Sequence, residues 1–187
     1  MDLKKRMQEH QAAVNGLIND PVQLAAIEKM AMICKAAIRN GYKILLCGNG
    51  GSAADSQHIA AEFVGRFVKE RCGLSAIALT TDTSILTAIG NDYGYDEVFR
   101  RQVEALGREG DVLIGISTSG NSGNIVKAFE QAKKQGVKTL ALTGQKDSKM
   151  SVLADVTLKV PAPVTARVQE CHIMVGHMIC EYIDEEY

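Results

Sequence analysis

Leu45-Leu46-Cys47-Gly48-Asn49-Gly50-Gly51-Ser52-Ala53-Ala54 decides the fold. An apolar, strand-like run from Lys43 to Cys47 ends in a glycine-rich turn, and a helical pattern opens at Ser52. Glycines let the backbone take positive φ and approach a ligand closely. A helix N-terminus presents unpaired N–H groups and a partial positive charge, which suits an anion. The same plan recurs further on. Val112-Leu113-Ile114-Gly115-Ile116 runs into Ser117-Thr118-Ser119-Gly120-Asn121-Ser122, and a second helical pattern follows from Gly123 to Gln135. Two anion-suited turns, one crowded with hydroxyls, point to a phosphorylated small molecule.

Outward from these turns, helical and strand-like segments alternate. Helices are predicted over 2–18 and 22–39, broken at Asn19-Asp20-Pro21, where Asp20 can cap and Pro21 suits a first helical turn. Strands are predicted at Lys43–Cys47, Ser75–Leu79, Val112–Ile116, Lys138–Thr143 and Val156–Val160. Helices are predicted at Ser52–Val68, near Ser84–Ile89, at Glu97–Leu106, Gly123–Gln135, near Ser148–Leu153 and at Ala166–Glu185. Continuously apolar strands separated by helices argue a parallel sheet covered on both faces. The expected architecture is α/β: a doubly wound, five-stranded parallel sheet sandwiched by helices. Residues 1–187 are expected to form one domain, with an N-terminal helical hairpin (1–40) and an α/β core (41–187). Ligands of such sheets bind outside the carboxyl ends of the strands, where both turns lie.

Composition sets further bounds. A net charge of −1 over 187 residues gives no reason to expect a nucleic-acid or membrane surface, and no apolar run is long enough for a membrane span. Met1-Asp2-Leu3-Lys4-Lys5-Arg6 leads into an amphipathic helix and lacks the apolar centre of a signal peptide. The five cysteines, Cys34, Cys47, Cys72, Cys171 and Cys180, form no CxxC pair. Free thiols in a reducing cytoplasm are expected. A nucleotide cofactor is not expected: Ala53 stands where GxGxxG needs its third glycine, no Gly-Lys-Ser/Thr occurs, and no acidic residue closes the second strand to hold a ribose.

A second constellation lies on the helices. His58 and Glu62 share one face of the helix after the first turn. On the last helix, Gln169 and His177 lie ~80° apart around the axis and two turns apart along it, so they can serve one site. His172 lies ~140° from His177 and is read as structural or as serving another face. A His–Glu pair at this spacing is also a common surface feature, and a lone histidine on an apolar helix is often a hydrogen-bonded core residue.

The chain resembles the phosphoheptose isomerases of the sugar-isomerase (SIS) fold family, which start bacterial heptose synthesis. The likeness runs nearly the whole length, through CGNGGSAADSQHIAAEFVGRF (47–67), LTTDTSILTAIGNDYGYDEVFRRQV (79–103), GISTSGNSGNI (115–125) and ARVQECHIMVGH (166–177). The resemblance implies a homotetramer with active sites between subunits. It implies interconversion of sedoheptulose 7-phosphate and D-glycero-D-manno-heptose 7-phosphate. It implies that Ser52, Ser117, Thr118, Ser119 and Ser122 hold the phosphate and that Asn49, Gly50, Gly51, Asn91 and Asp92 line the sugar site. Glu62 and His177 match the acid/base pair, with Gln169 beside them. In some members His58, Glu62, Gln169 and His177 hold zinc. Ala166 stands where some members carry Asp, so no role is carried over to that position. Relatives of the same fold act instead as non-enzymatic regulators that bind the bacterial replication initiator. They typically lack the glutamate and histidine that this chain keeps. A sugar-phosphate sensor is the third reading.

Overall fold

The computed structural model describes residues 2–187; Met1 lies outside the described residues. Two helices come first. α1 (Leu3–Ile18) starts at Asp2, whose carboxylate accepts from the Lys5 amide. α2 (Pro21–Arg39) starts at Asp20, which accepts from the amides of Val22 and Gln23 with Pro21 in the first turn, as the Asn19-Asp20-Pro21 break predicts. Five strands follow: β1 (Ile44–Gly48), β2 (Ala76–Ala78), β3 (Val112–Ile116), β4 (Lys138–Gly144) and β5 (Val156–Val160). The helices between and after them are α3 (Gly51–Val64), α4 (Thr83–Tyr93), α5 (Val98–Leu106), α6 (Gly123–Lys134), α7 (Lys149–Leu153) and α8 (Thr165–Asp184). No described helix is long and apolar enough to cross a membrane.

All strands are parallel, in the order β2-β1-β3-β4-β5. The chain passes from β1 to one side, then returns to its other side for β3, so the direction of winding reverses between β1 and β3. Crevices at such reversals are the binding places of open α/β sheets. Register makes the point locally: Cys47 lies opposite Gly115 and Gly48 opposite Ile116. The glycine-rich turn and the hydroxyl turn therefore leave the sheet side by side.

Side chains alternate between the two faces. Ile44 and Leu46 join Val112, Ile114, Leu140 and Leu158 on one face, under α1, α2, α3 and α8. Leu45, Cys47, Leu113 and Ala141 point the other way, against α5, α6 and Met150 of α7. The N-terminal helices thus belong to the covering layer: Ala13, Leu17, Met30 and Cys34 share a core with Ile59, Phe63, Val175 and Ile179. The five cysteines are free thiols.

Two elements differ from the sequence reading. α3 stops at Val64, not Val68. The Arg71 guanidinium donates to the carbonyls of Glu62, Phe63 and Gly65 at 2.9, 2.9 and 3.3 Å, taking the open carbonyls that would otherwise pull the helix onward. Arg71 is itself paired with Asp184 at 2.7 Å, both side chains being 3% exposed. α4 is longer than predicted. Asp82 caps it through the Ile85 amide, and it runs on through Gly90, Asn91 and Asp92, residues that individually disfavour a helix.

Candidate active site

The hydroxyl turn is knit together at short range. Ser117 Oγ lies 3.0 Å from Ser122 Oγ and 3.4 Å from Ser119 Oγ. The Gly120 amide donates to Ser117 Oγ and the Asn121 amide to Ser119 Oγ, each at 3.2 Å. Ser122 stands at the N-cap of α6 but makes no capping bond with its side chain, so the helix end keeps its pull on an anion. Thr118 and Ser119 line a cleft of about 300 Å³ with Gly144, Lys146, Thr165 and Val168.

The turn after β1 is tied to this one. Asn49 and Asn124 exchange amide hydrogen bonds at 3.0 and 2.9 Å. Gly50 takes φ +54°, a region that glycine enters without cost, and α3 begins at Gly51 without a side-chain cap. Ser52 is buried in its first turn.

From there the site runs along the seam between α3 and α8. A Cβ at Gly51 would lie 2.6 Å from Gln169 Nε2, so the Gln169 amide rests on the bare glycine backbone. Gln169 Nε2 donates to Asp55 Oδ1 at 3.2 Å. One turn on, His58 Nε2 lies 2.8 Å from His177 Nε2 and 3.3 Å from Glu62 Oε1. The two rings meet edge to face, with centroids 5.0 Å apart, and the Phe67 ring lies 5.8 Å from that of His177. Gly176 lets the helices approach, because a Cβ there would strike Ile59. The His58 side chain is 48% exposed and that of Glu62 23%, so the cluster is open to a ligand.

Two imidazole nitrogens at 2.8 Å can share only one hydrogen between them. The donor atoms of His58, Glu62 and His177 all lie within 4.8 Å of one another. Two imidazoles and one carboxylate match a catalytic zinc set with an open position. The residues present therefore fit a divalent metal. Gln169 sits on the same seam with its nitrogen committed to Asp55.

Among the described residues, Asn91 and Asp92 share no side-chain hydrogen bond with the other candidate site residues. They lie exposed in the last turn of α4 and bond to each other, Asn91 Nδ2 to Asp92 Oδ1 at 2.8 Å. Of the two readings left open for His172, structural or serving another face, its surroundings fit the structural one. It is buried, its Nε2 lies 3.1 Å from the Thr143 carbonyl oxygen, and burial pushes its pKa down to about 4.

Asn124, Asp55 and Arg71 belong to the site's framework and were not singled out by the sequence. Only Asp55 carried a local signal, standing three residues before His58 on the same helix face. Burial raises its carboxyl above the ordinary range, against the lowering effect of the Gln169 hydrogen bond.

Comparison with known proteins gives this arrangement its family. A model of the SIS domain matches residues 10–144. The chain is 59% identical over 157 residues to the phosphoheptose isomerase of a Nitratiruptor species, covering 84% of each chain. Among solved structures, a phosphoheptose isomerase from Francisella tularensis superposes with a TM-score of 0.93 at 37% identity, over 98% of this chain and 96% of that one. The phosphoheptose isomerase from Neisseria gonorrhoeae superposes with a TM-score of 0.86 at 47% identity, over 97% and 94%. The chain belongs to the SIS domain family and, within it, to the phosphoheptose isomerases.

Proposed function

We propose that the chain is an aldose–ketose isomerase that interconverts sedoheptulose 7-phosphate and D-glycero-D-manno-heptose 7-phosphate, the opening step of bacterial heptose synthesis. The observation that carries this reading is the meeting of Glu62 and His177 on His58, at 3.3 and 2.8 Å, on a seam that starts at the anion-suited turns. Ser52, Ser117, Thr118, Ser119 and Ser122 hold the phosphate. Asn49, Gly50 and Gly51 line the sugar, joined by Asn91 and Asp92. Phosphate binding far from the reacting carbons orients the chain for the proton transfer.

The chemistry moves a proton between C1 and C2. The Glu62 carboxylate takes the proton from the carbon beside the carbonyl, and the electron pair of that C–H bond becomes the C1–C2 double bond. The carbonyl π electrons move to its oxygen, which takes a proton from His177 and yields an enediol. The other hydroxyl gives its proton to His177, restoring it, as Glu62 returns the first proton to the former carbonyl carbon, and the exchange closes with no net oxidation. His58, held between the two groups, keeps them together. His58, Glu62, Gln169 and His177 are the residues that would hold zinc, which when bound would polarise the substrate carbonyl.

The reading includes a homotetramer with sites shared between subunits, in a cytoplasmic setting that suits the free thiols. It treats residues 1–187 as one SIS domain, since the hairpin (1–40) shares the core of 41–187. The test is an isomerase assay on sedoheptulose 7-phosphate, with and without chelator. Glu62→Gln and His177→Gln are each expected to lower kcat at least ~10²-fold, with the fold and phosphate affinity kept. Their losses should not add, because both serve one proton transfer. Near-wild-type kcat in Glu62→Gln would overturn the mechanism. A wild-type chain inactive even with zinc supplied would favour the regulator.

A further inference from the structure

Asp55 is a buried acid to which the proton transfer above gives no part. It is 7% exposed. Its Oδ1 accepts from Gln169 Nε2, and its Oδ2, equally buried, has no hydrogen-bond partner among the described residues. A buried carboxylate partnered by one neutral amide is an expensive arrangement. Its effect on that amide is specific. A carboxylate only accepts, so the Gln169 nitrogen must face Asp55 and Oε1 must turn away. Gly51 supplies the other constraint, since its bare backbone is the floor on which the amide rests. The Asn49–Asn124 pair nearby shows the contrast: two amides that donate to each other can both turn over and pair equally well.

We propose that Asp55 is a positioning residue that holds the Gln169 amide with its oxygen presented as a ligand to a divalent metal shared with His58, Glu62 and His177. This rests on the reading of Gln169 as a metal ligand. An amide oxygen is a weak ligand for zinc, so the orientation of the amide decides whether it contributes at all. Partners of this kind, one step behind a ligand, typically govern affinity by about 10–100-fold when removed.

The experiment titrates apo protein with Co²⁺ and follows its visible absorption, in the wild type and in Asp55→Ala, Asp55→Ser, Asp55→Asn, Gln169→Ala and Asp55→Ala/Gln169→Ala. Asp55→Ala is expected to bind Co²⁺ about 10–100-fold more weakly with an altered spectrum. Asp55→Ser gives the same reading should the alanine variant fail to fold. Asp55→Asn still offers an acceptor but also admits the turned-over amide, so its loss should stay within about twofold, the effect of halving the competent population. The double variant should bind no more weakly than Gln169→Ala alone, because Asp55 acts through Gln169. Wild-type Co²⁺ affinity in the Asp55 variants, with Gln169→Ala weakened, overturns the proposal and leaves the ligand reading standing. Additive losses overturn it as well. Unchanged affinity in Gln169→Ala overturns the ligand reading and the proposal with it.

Discussion

His172 and His177 share a helix and have opposite lives. His177 meets His58 at the open end of the seam, whereas His172 is buried against the Thr143 carbonyl with its pKa pushed down to about 4. The unfolded chain binds a proton at this residue below about pH 6.5, and the fold refuses it until about 4. Stability is therefore complete above the unfolded value and falls as pH drops through that window, by up to ~3 kcal/mol from this residue. Urea unfolding at fixed protein concentration should reveal it as a pH slope between 6.5 and 4 that His172→Gln flattens. Gly51 carries a second residue-scale prediction. Gly51→Ala drives a methyl group into the Gln169 amide, so it should impair activity with little change in thermal stability, read as kcat against Tm. Spacing around a helix made legible only that His58 shares a face with Glu62 and that Gln169 can serve one site with His177; the roles proposed for them came from the resemblance to the isomerase family. Asp55 was not legible as a site residue, since its burial and its bond to Gln169 depend on α8, 114 residues away.

Among the elements, the strand and turn positions were readable because apolar runs and glycines mark them directly. All five strands lie within a residue or two of their expected bounds. The end of α3 was not readable. Phe67 and Val68 continue an apolar pattern, and the group that stops the helix, Arg71, is fixed by Asp184, 113 residues further along. Arg71→Met should leave Asp184 buried without its cation. Breaking such a pair costs about 3–5 kcal/mol, so thermal unfolding should come many degrees lower. Because α3 carries Glu62 within the capped segment, a folded Arg71 variant should also lose kcat. The hydroxyl turn at the start of α6 makes the opposite prediction. Ser119→Ala/Ser122→Ala removes hydroxyls proposed above to bind the phosphate, and neither hydroxyl belongs to the apolar core. KM for the sugar phosphate should rise, at about 1.5–3 kcal/mol for each charge-assisted bond lost, while Tm moves little. A double variant that binds sugar phosphate as tightly as the wild type would remove the turn from the phosphate site.

At the scale of the molecule, the layered parallel sheet was legible from alternation alone, but the strand order was not, because nothing in the strands themselves says on which side of β1 the chain returns. That order puts the two turns next to each other. The surface carries its own expectation. α4 buries none of its residues although Ile85, Leu86 and Ile89 make it apolar, and Leu3, Met7 and Ile18 stand exposed on α1. Leu86 and Ile89 pack on the core but stay partly exposed, and the apolar residues left open on α1 and α4 call for a partner surface. Under the tetramer proposed above, light scattering at micromolar concentration should give the mass of four chains, and a monomer would rule the assembly out. α8 has a further consequence. It follows every other element in the chain, yet it packs on α1, α2, α3, β4 and β5, and it brings Gln169, His177 and Asp184 to partners made more than a hundred residues earlier. During synthesis the glycine-rich and hydroxyl turns can form while the ribosome still holds the last helix, but the cluster of His58, Glu62 and His177 cannot. A nascent chain halted at residue 164 would expose the apolar faces of α2 and α3, making it a substrate for chaperones, and the isomerase would come into being only when α8 has left the exit tunnel.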